Sequence, residues 1–361
     1  MAKIVITAPS LDPLVNVSGI SSVTSFIIGN NRKKEYVHFQ VGKTDGDKGM
    51  LKRISTTLKA LRNWTMLMKH NRDIVIHYNF PLSTMSILRD PLFIAISRMF
   101  GRKMLLHIHG GPFLMNQKVP VVLDRILSLV FSSDTPVIVL SDKEKNIIQS
   151  RYQCNRVYSL PNCVDLQDAA LFKRQIDPER PLQILYLGRI TRTKGMDHIL
   201  EAAISLKNKG VDFVFNLAGE EDPGAAYIEK FTTALGVNFS YLGIVSGEKK
   251  NTLLKNCDVF LLPSYFEGLP MSLIECMSYG MIPVVTKVGS IETVVTHGQN
   301  GLFIPVKDGE SIVSAITAIL SDTKTRKRLS QEARNRIFSQ FDAEKYISDL
   351  NGIYELTRAV K

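Results

Sequence analysis

Two glutamates with seven residues between them, Glu267 and Glu275, stand in the stretch SYFEGLPMSLIECMSYG at residues 264–280. Glu267 falls in a turn carrying Gly268 and Pro270, and Glu275 falls in an apolar run that reads as a helix. A carboxylate among apolar side chains costs free energy without a partner, so this pair calls for a ligand or a cation. Pro270 suits the first turn of a helix, where its missing N–H does no harm. Glu275 then lies about 7 Å further along the helix axis, where an ionised carboxylate could accept from two adjacent hydroxyls such as those of a ribose. A structural salt bridge is the alternative. Gly268 and Leu269 offer backbone N–H groups to an anion at the helix entrance. A second loop has matching chemistry. The strand QILYLG ends at Gly188 and runs into RITRTKGMDHIL, with Arg189 and Lys194 on the loop and Gly195 opening the next helix. Two cations and outward amides there would suit a diphosphate; a solvated surface loop would look the same.

These loops need strands to hold them. Short apolar, β-branched runs recur between amphipathic segments: KIVITA, EYVHFQV, DIVIHY, KMLLHIH and PVIVLS in the first half, and QILYLG, FVFNLAG, DVFLLP, MIPVVT and GLFIPV in the second. Continuous apolar strands alternating with helices imply parallel sheets covered on both faces. Two such series predict an α/β chain of two Rossmann-like, doubly wound domains facing each other across a cleft, with ligands beyond the carboxyl ends of the strands. The polar, proline-containing stretch over 160–183 reads as the hinge. The expected division is an N-terminal acceptor-binding domain at 1–164, a C-terminal nucleotide-sugar-binding domain at 165–340, and a C-terminal helix at 341–361 packing back toward the first.

Three stretches, YLGRITRTKGMDHIL, LLPSYFEGLPMSLIECMSYGMIPVVTKVGSIETVV and GQNGLFIP, resemble the donor-binding half of the retaining glycosyltransferases of family 4, whose fold is GT-B. VIVLSDKEKN and SLPNCVD resemble that family's last N-domain strand and domain junction, so the likeness spans roughly residues 130–320. The first 130 residues match in layout only. The resemblance implies that Glu275 holds the ribose of a sugar nucleotide and that Glu267 lies beside the donor sugar. It implies that Arg189 and Lys194 bind the diphosphate, with Gly188, Gly268 and Leu269 completing the contacts. From the other half it implies that Gly19, in NVSGISSV, approaches the diphosphate and that His109, in HIHGGP, contacts the donor sugar. The expected reaction is retaining hexosyl transfer from a UDP- or GDP-sugar to a glycan in cell-surface polysaccharide biosynthesis, with no cofactor and no metal. Some positions depart from the pattern: Glu220 and Glu221 follow Gly219 where a second glycine is usual, Cys163 replaces a glycine, and Glu292 lacks a preceding proline. Asp45 and Asp47 form a DGD that could suggest a metal-binding pair, but in a lysine-flanked polar loop they do not make an octahedral oxygen site.

The chain has 361 residues and a net charge of +11. Residues 1–165 hold 22 Lys and Arg against 11 Asp and Glu, whereas the remainder holds 23 of each, so the whole excess belongs to the first half. That asymmetry points to an anionic partner there. The segment 51–72 has six cations, no acid and a helical apolar stripe at 51, 54, 58, 61, 65 and 68, with Trp64 near its edge. It reads either as an anionic-membrane face or as an ordinary core-facing helix. A lipid-linked acceptor would explain the charge; a soluble sugar acceptor is the alternative. Cys154, Cys163, Cys257 and Cys276 have neither disulfide nor zinc spacing. The N-terminus reads as a strand rather than a signal peptide, and no window suits a membrane span. The expected location is the cytoplasm, peripheral on the inner face of the membrane. A nucleotide-sugar epimerase is the competing enzyme reading. A nucleic-acid-binding module is the non-catalytic one, and no recognition motif favours it.

Overall fold

The computed structural model describes residues 3–12, 18–42, 50–115, 118–132 and 134–359. Asp45 and Asp47 lie outside the described residues. The chain divides into two compact units, one of residues 1–162 with 344–361 and one of residues 163–343.

The first unit runs β1 (Lys3–Ala8), α1 (Gly19–Asn30), β2 (Glu35–Gln40), α2 (Met50–His70), β3 (Ile74–Asn79), α3 (Thr84–Met99), β4 (Lys103–His107), α4 (Pro112–Met115), α5 (Val121–Phe131), β5 (Val137–Val139), α6 (Asp142–Tyr152) and β6 (Val157–Ser159). Its six strands are parallel, in the order β2-β1-β3-β4-β5-β6. Strands β1, β3 and β4 are buried almost throughout because both faces are covered, which is why they read as unbroken apolar runs.

The second unit continues with α7 (Gln167–Ala170), β7 (Leu182–Leu187), α8 (Met196–Asn208), β8 (Phe213–Ala218), α9 (Tyr227–Leu235), β9 (Phe239–Gly243), α10 (Gly247–Asn256), β10 (Val259–Leu262), α11 (Met271–Ser278), β11 (Ile282–Thr286), β12 (Leu302–Ile304), α12 (Gly309–Ser321) and α13 (Thr323–Gln340). These six strands are also parallel, in the order β12-β11-β10-β7-β8-β9. Asp258, 3% exposed at the entrance to β10, is paired with Arg180 at 2.6 Å and accepts the Gln183 N–H at 3.0 Å, tying β7 to β10. The last helix, α14 (Ala343–Arg358), returns to the first unit, where Tyr354 and Leu350 are buried.

Two strands escaped the sequence reading. β6 and β9 each lie at one edge of their sheet, short and partly exposed, and neither carries a long apolar run. The stripe on α2 also needs correction. Ile54 and Leu58 are 50% and 61% exposed, whereas Trp64 is fully buried and central rather than marginal. Its indole N–H reaches the Phe93 carbonyl and Ser97 Oγ, both at 3.1 Å, and its ring packs edge-on against Phe39, Tyr78 and Phe93. One large aromatic with a satisfied polar tip outweighs the smaller side chains in choosing the buried face. The four cysteines are buried thiols.

Candidate functional site

In each sheet the chain reverses its direction of winding once, between β1 and β3 in the first unit and between β7 and β10 in the second. Adjacent loops part at such a point and leave room for a ligand beyond the carboxyl ends of the strands. The residues singled out from the sequence cluster there.

In the second unit, β7 ends at Leu187, and Gly188 donates its N–H to the Ala218 carbonyl at 3.0 Å. Arg189 follows with an exposed side chain, its carbonyl accepting from the Tyr186 hydroxyl at 2.7 Å. A 3-10 turn over Arg192–Lys194 leads through Gly195 into α8. After β10 the chain runs through Pro263, Ser264 and Tyr265 to Glu267, Gly268, Leu269 and the start of α11 at Met271. The two loops are fastened to each other: the Tyr265 N–H donates to the Thr193 carbonyl at 2.9 Å. Gly195 has φ +81°, and a Cβ there would stand 2.4 Å from the Pro263 carbonyl oxygen. Only glycine meets both demands. A third loop, after β11, closes from the side, with the Ser290 N–H donating to the Gly268 carbonyl at 3.0 Å.

Two ion pairs stand on this frame. Lys194 Nζ lies 2.5 Å from Glu267 Oε1, the side chains 19% and 9% exposed. Lys250 Nζ, from α10, lies 2.8 Å from Glu275 Oε1, the side chains 27% and 19% exposed. Both carboxylates are therefore charge-balanced, which answers the cost of placing them in apolar surroundings. Lys194 and Glu267, read from the sequence as partners of different parts of a ligand, are in contact with each other. Glu275 has the salt-bridge partner that the alternative reading foresaw, and its second oxygen leaves further acceptor capacity. Leu269 is 3% exposed and packs into the core. Sequence reasoning missed Lys250, because a lysine 25 residues upstream on another helix leaves no spacing signal. It also missed His198 and Tyr265, joined Nε2 to hydroxyl at 3.1 Å beside the same loops, with the Lys307 ammonium 5.3 Å from the Tyr265 ring centre.

Glu220 and Glu221, the departure after Gly219, have a local explanation. The Glu221 carboxylate accepts the backbone N–H groups of Tyr227 and Ile228 and so caps α9. Gly219 itself, φ +141°, approaches so closely that a Cβ would stand 1.9 Å from the Gly188 oxygen.

In the first unit, a cavity of about 320 Å³ lies at the ends of β1 and β3, lined by Thr7, Ala8, Asn79, Ser83, Met85 and Arg89 among others. Gly19 is the first residue of α1, and a Cβ there would meet no atom within 4 Å. His109 follows β4 and is half-buried. Its Nε2 lies 2.6 Å from Asn79 Oδ1. The Asn79 amide nitrogen is directed at the Thr7 carbonyl at 2.5 Å and Thr24 Oγ1 at 2.9 Å. Since a carbonyl can only accept, the Asn79 amide is oriented with Oδ1 toward the ring, Nε2 carries the proton, and Nδ1 is left as an acceptor. Burial lowers the His109 pKa to about 3, so the ring is neutral at physiological pH. Behind it, His107 stacks on His109 at 4.0 Å between ring centres, His77 Nε2 lies 3.0 Å from His107 Nδ1, and His77 Nδ1 lies 2.7 Å from the Tyr354 hydroxyl of α14. His77 is fully buried, with both ring nitrogens engaged in this row.

The description "Glycosyl transferases group 1" belongs to the family model that matches residues 168–336. The alpha-D-kanosaminyltransferase of Streptomyces kanamyceticus is 24% identical over 280 residues, 72% of each chain. The UDP-Gal:alpha-D-GlcNAc-diphosphoundecaprenol alpha-1,3-galactosyltransferase of Escherichia coli is 24% identical over 273 residues, 72% of this chain and 70% of that one. The structure of Anabaena HepE in complex with UDP and glucose superposes over the whole of both chains with a TM-score of 0.73 and 15% identity.

Proposed function

We propose that the chain, whose residues 168–336 match the group 1 glycosyl transferase model and whose two parallel sheets have the GT-B architecture, is a retaining, family 4 type enzyme moving a sugar from a UDP- or GDP-sugar to a lipid-linked glycan. The observation that carries this reading is the pair of half-buried ion pairs, Lys194–Glu267 and Lys250–Glu275, on loops fastened at the winding reversal of the second sheet. Such a frame costs little to organise when a donor arrives, because each charged group is already held in place.

Departure of the diphosphate develops negative charge on the leaving group and positive charge on the sugar. Arg189 and Lys194 supply fixed positive charge for the leaving group, and Glu267 beside Lys194 faces the sugar with negative charge. Glu275, oriented by Lys250, accepts from the ribose hydroxyls. Gly188, Gly268 and Leu269 contribute backbone to the same donor contacts. Within the first unit, taken by itself, the space beside Gly19 is open and His109 offers Nδ1 as an acceptor to a hydroxyl. The acceptor hydroxyl attacks on the face that the diphosphate leaves, passing its proton to a phosphate oxygen. No metal is required in this scheme, so a chelator should leave the rate unchanged.

The relatives' names support the substrate classes. The E. coli enzyme is named for a UDP-sugar donor and a diphosphoundecaprenol-linked acceptor, and HepE was solved with UDP and glucose. Peripheral membrane contact follows from a lipid-linked acceptor, and no described helix is long and apolar enough to cross a membrane.

The test is transfer of label from α-configured UDP- and GDP-sugars into a lipid-linked glycan fraction, with the anomeric coupling of the product read by NMR. An α-linked product supports the proposal. A β-linked product refutes retention, and an epimerised nucleotide sugar without transfer favours the epimerase.

A further inference from the structure

The solvent side of α3 is a row of apolar residues. Met85, Leu88, Leu92 and Met99 are 68%, 50%, 52% and 84% exposed, and Ala95 is exposed between the last two. Their spacing of three and four places them along one side of the helix. The opposite side, with Ile87, Phe93 and Ile94, is buried. A helix apolar on both sides has one side too many for packing on its own sheet. α3 packs against α2 on one flank and α5 on the other, and the strand order puts all three helices on one face of the sheet. α2 adds the exposed Ile54, Leu58 and Met66, and α5 adds Val121, Val122 and Leu129. So much exposed apolar surface on three neighbouring helices is rare on a face that meets only water.

The exposed charges on these three helices are predominantly positive. Lys59, Arg62 and Lys69 of α2 and Arg125 of α5 are exposed. α2 contains no acid, the one acid of α3, Asp90, is buried against Arg89, and Asp124 of α5 is engaged by Tyr152 and Arg151. A two-fold dimer through this face would set like charges against each other. An anionic bilayer satisfies both components: the apolar ridge enters the boundary between headgroups and acyl chains while the flanking cations reach the phosphates.

We infer that the exposed face of α2, α3 and α5, centred on the α3 ridge, docks this protein on an anionic lipid surface. Met85 belongs to both the ridge and the cavity at the ends of β1 and β3. An acceptor whose polar head enters that cavity would have its hydrocarbon portion led out along the ridge into the bilayer, which rests on the lipid-linked acceptor proposed above.

Co-sedimentation with vesicles of phosphatidylcholine, with and without phosphatidylglycerol, tests the docking face in the absence of donor and acceptor. The wild type should bind the anionic vesicles and leave the neutral ones. Leu88→Gln/Leu92→Gln should weaken that binding about tenfold or more, and Lys59→Glu/Arg62→Glu should weaken it about tenfold. Both variants should melt as the wild type does and keep the thermal shift given by a nucleotide sugar. The charge pair on α2 keeps the test open if the leucine pair fails to fold. Folded wild type that ignores anionic vesicles overturns the inference, as does a folded leucine variant that binds like the wild type. So does a dimer dissolved by the leucine variant without vesicle binding. Vesicle binding in a protein that takes up no nucleotide sugar would leave this face standing and remove the donor reading instead.

Discussion

Lys194 and Glu267 meet at 2.5 Å with both side chains largely buried, so neither can be removed without leaving the other short of a partner. Lys194→Gln should lower kcat by about 100-fold or more, the scale of losing one fixed charge at a developing anion, while the donor's apparent affinity changes far less. A rate within a few-fold of wild type would exclude Lys194 from leaving-group stabilisation. Asn79 acts on His109 in another way, by holding Nε2 as the protonated nitrogen. In Asn79→Asp the amide becomes a carboxylate, which favours the imidazolium and makes Nδ1 a donor. The variant should therefore lose activity relative to wild type as pH falls through the neutral range and recover as pH rises. Parallel profiles would mean that the acceptor at Nδ1 has no part in the reaction. Among these residues, Glu267, Arg189 and Lys194 stood out in the sequence because each lies on a turn-rich loop after a strand, and Glu275 because it is a carboxylate inside an apolar helix. Lys250 and Asn79 were not, since each acts on a side chain brought near only by the fold.

At the scale of elements, the close approaches between loops are fixed by glycine. Gly219→Ala would push a methyl against the Gly188 carbonyl from a strained φ, and a loss of at least about 2 kcal/mol in the second unit is expected. Chemical denaturation measures it, and an unchanged midpoint would contradict the packing described. In the first unit β3, β4 and α14 share the row His77, His107 and Tyr354. Burial lowers the His77 and His109 pKa values to about 3 and moves His107 down as well. Between pH 6.5 and 3 the unfolded chain thus binds more protons than the folded one at these sites, so acidification through that window removes stability, by up to about 1.4 kcal/mol per pH unit for each histidine kept neutral. Asp90, raised to about 6 chiefly by burial, acts oppositely between 3.8 and 6 and offsets one histidine. Thermal midpoints should fall as pH drops below 6.5, and His77→Gln should flatten the slope. Interior strands were readable because both faces are covered, and the edge strands β2 and β12 still carry apolar runs, whereas VYS in β6 and FSYLG in β9 are too short or too polar to stand out. The α3 ridge was invisible for a related reason: a helix apolar on both sides gives no one-sided period.

For the whole molecule, the charge asymmetry and the two winding reversals carry one account. The excess positive charge of residues 1–165 belongs to the unit that carries the apolar ridge, and the charge-neutral remainder carries the fastened loops with their two ion pairs. Two series of strands, and hence two sheets, could be counted from the sequence alone. Strand order and the company of α14 could not, because they rest on pairings remote in the chain. The proposed function requires the second unit to bind a nucleotide sugar through Glu275 and the loop cations. A ligand bound only by the folded state raises its stability, by about 2.7 kcal/mol at a hundredfold excess over its Kd. Thermal unfolding of wild type and Glu275→Ala with UDP-, GDP- and ADP-sugars measures this directly. A stabilising shift with one nucleotide class that disappears in the variant is expected; a folded wild type that responds to none of them, or a shift that survives in Glu275→Ala, would contradict binding at this site.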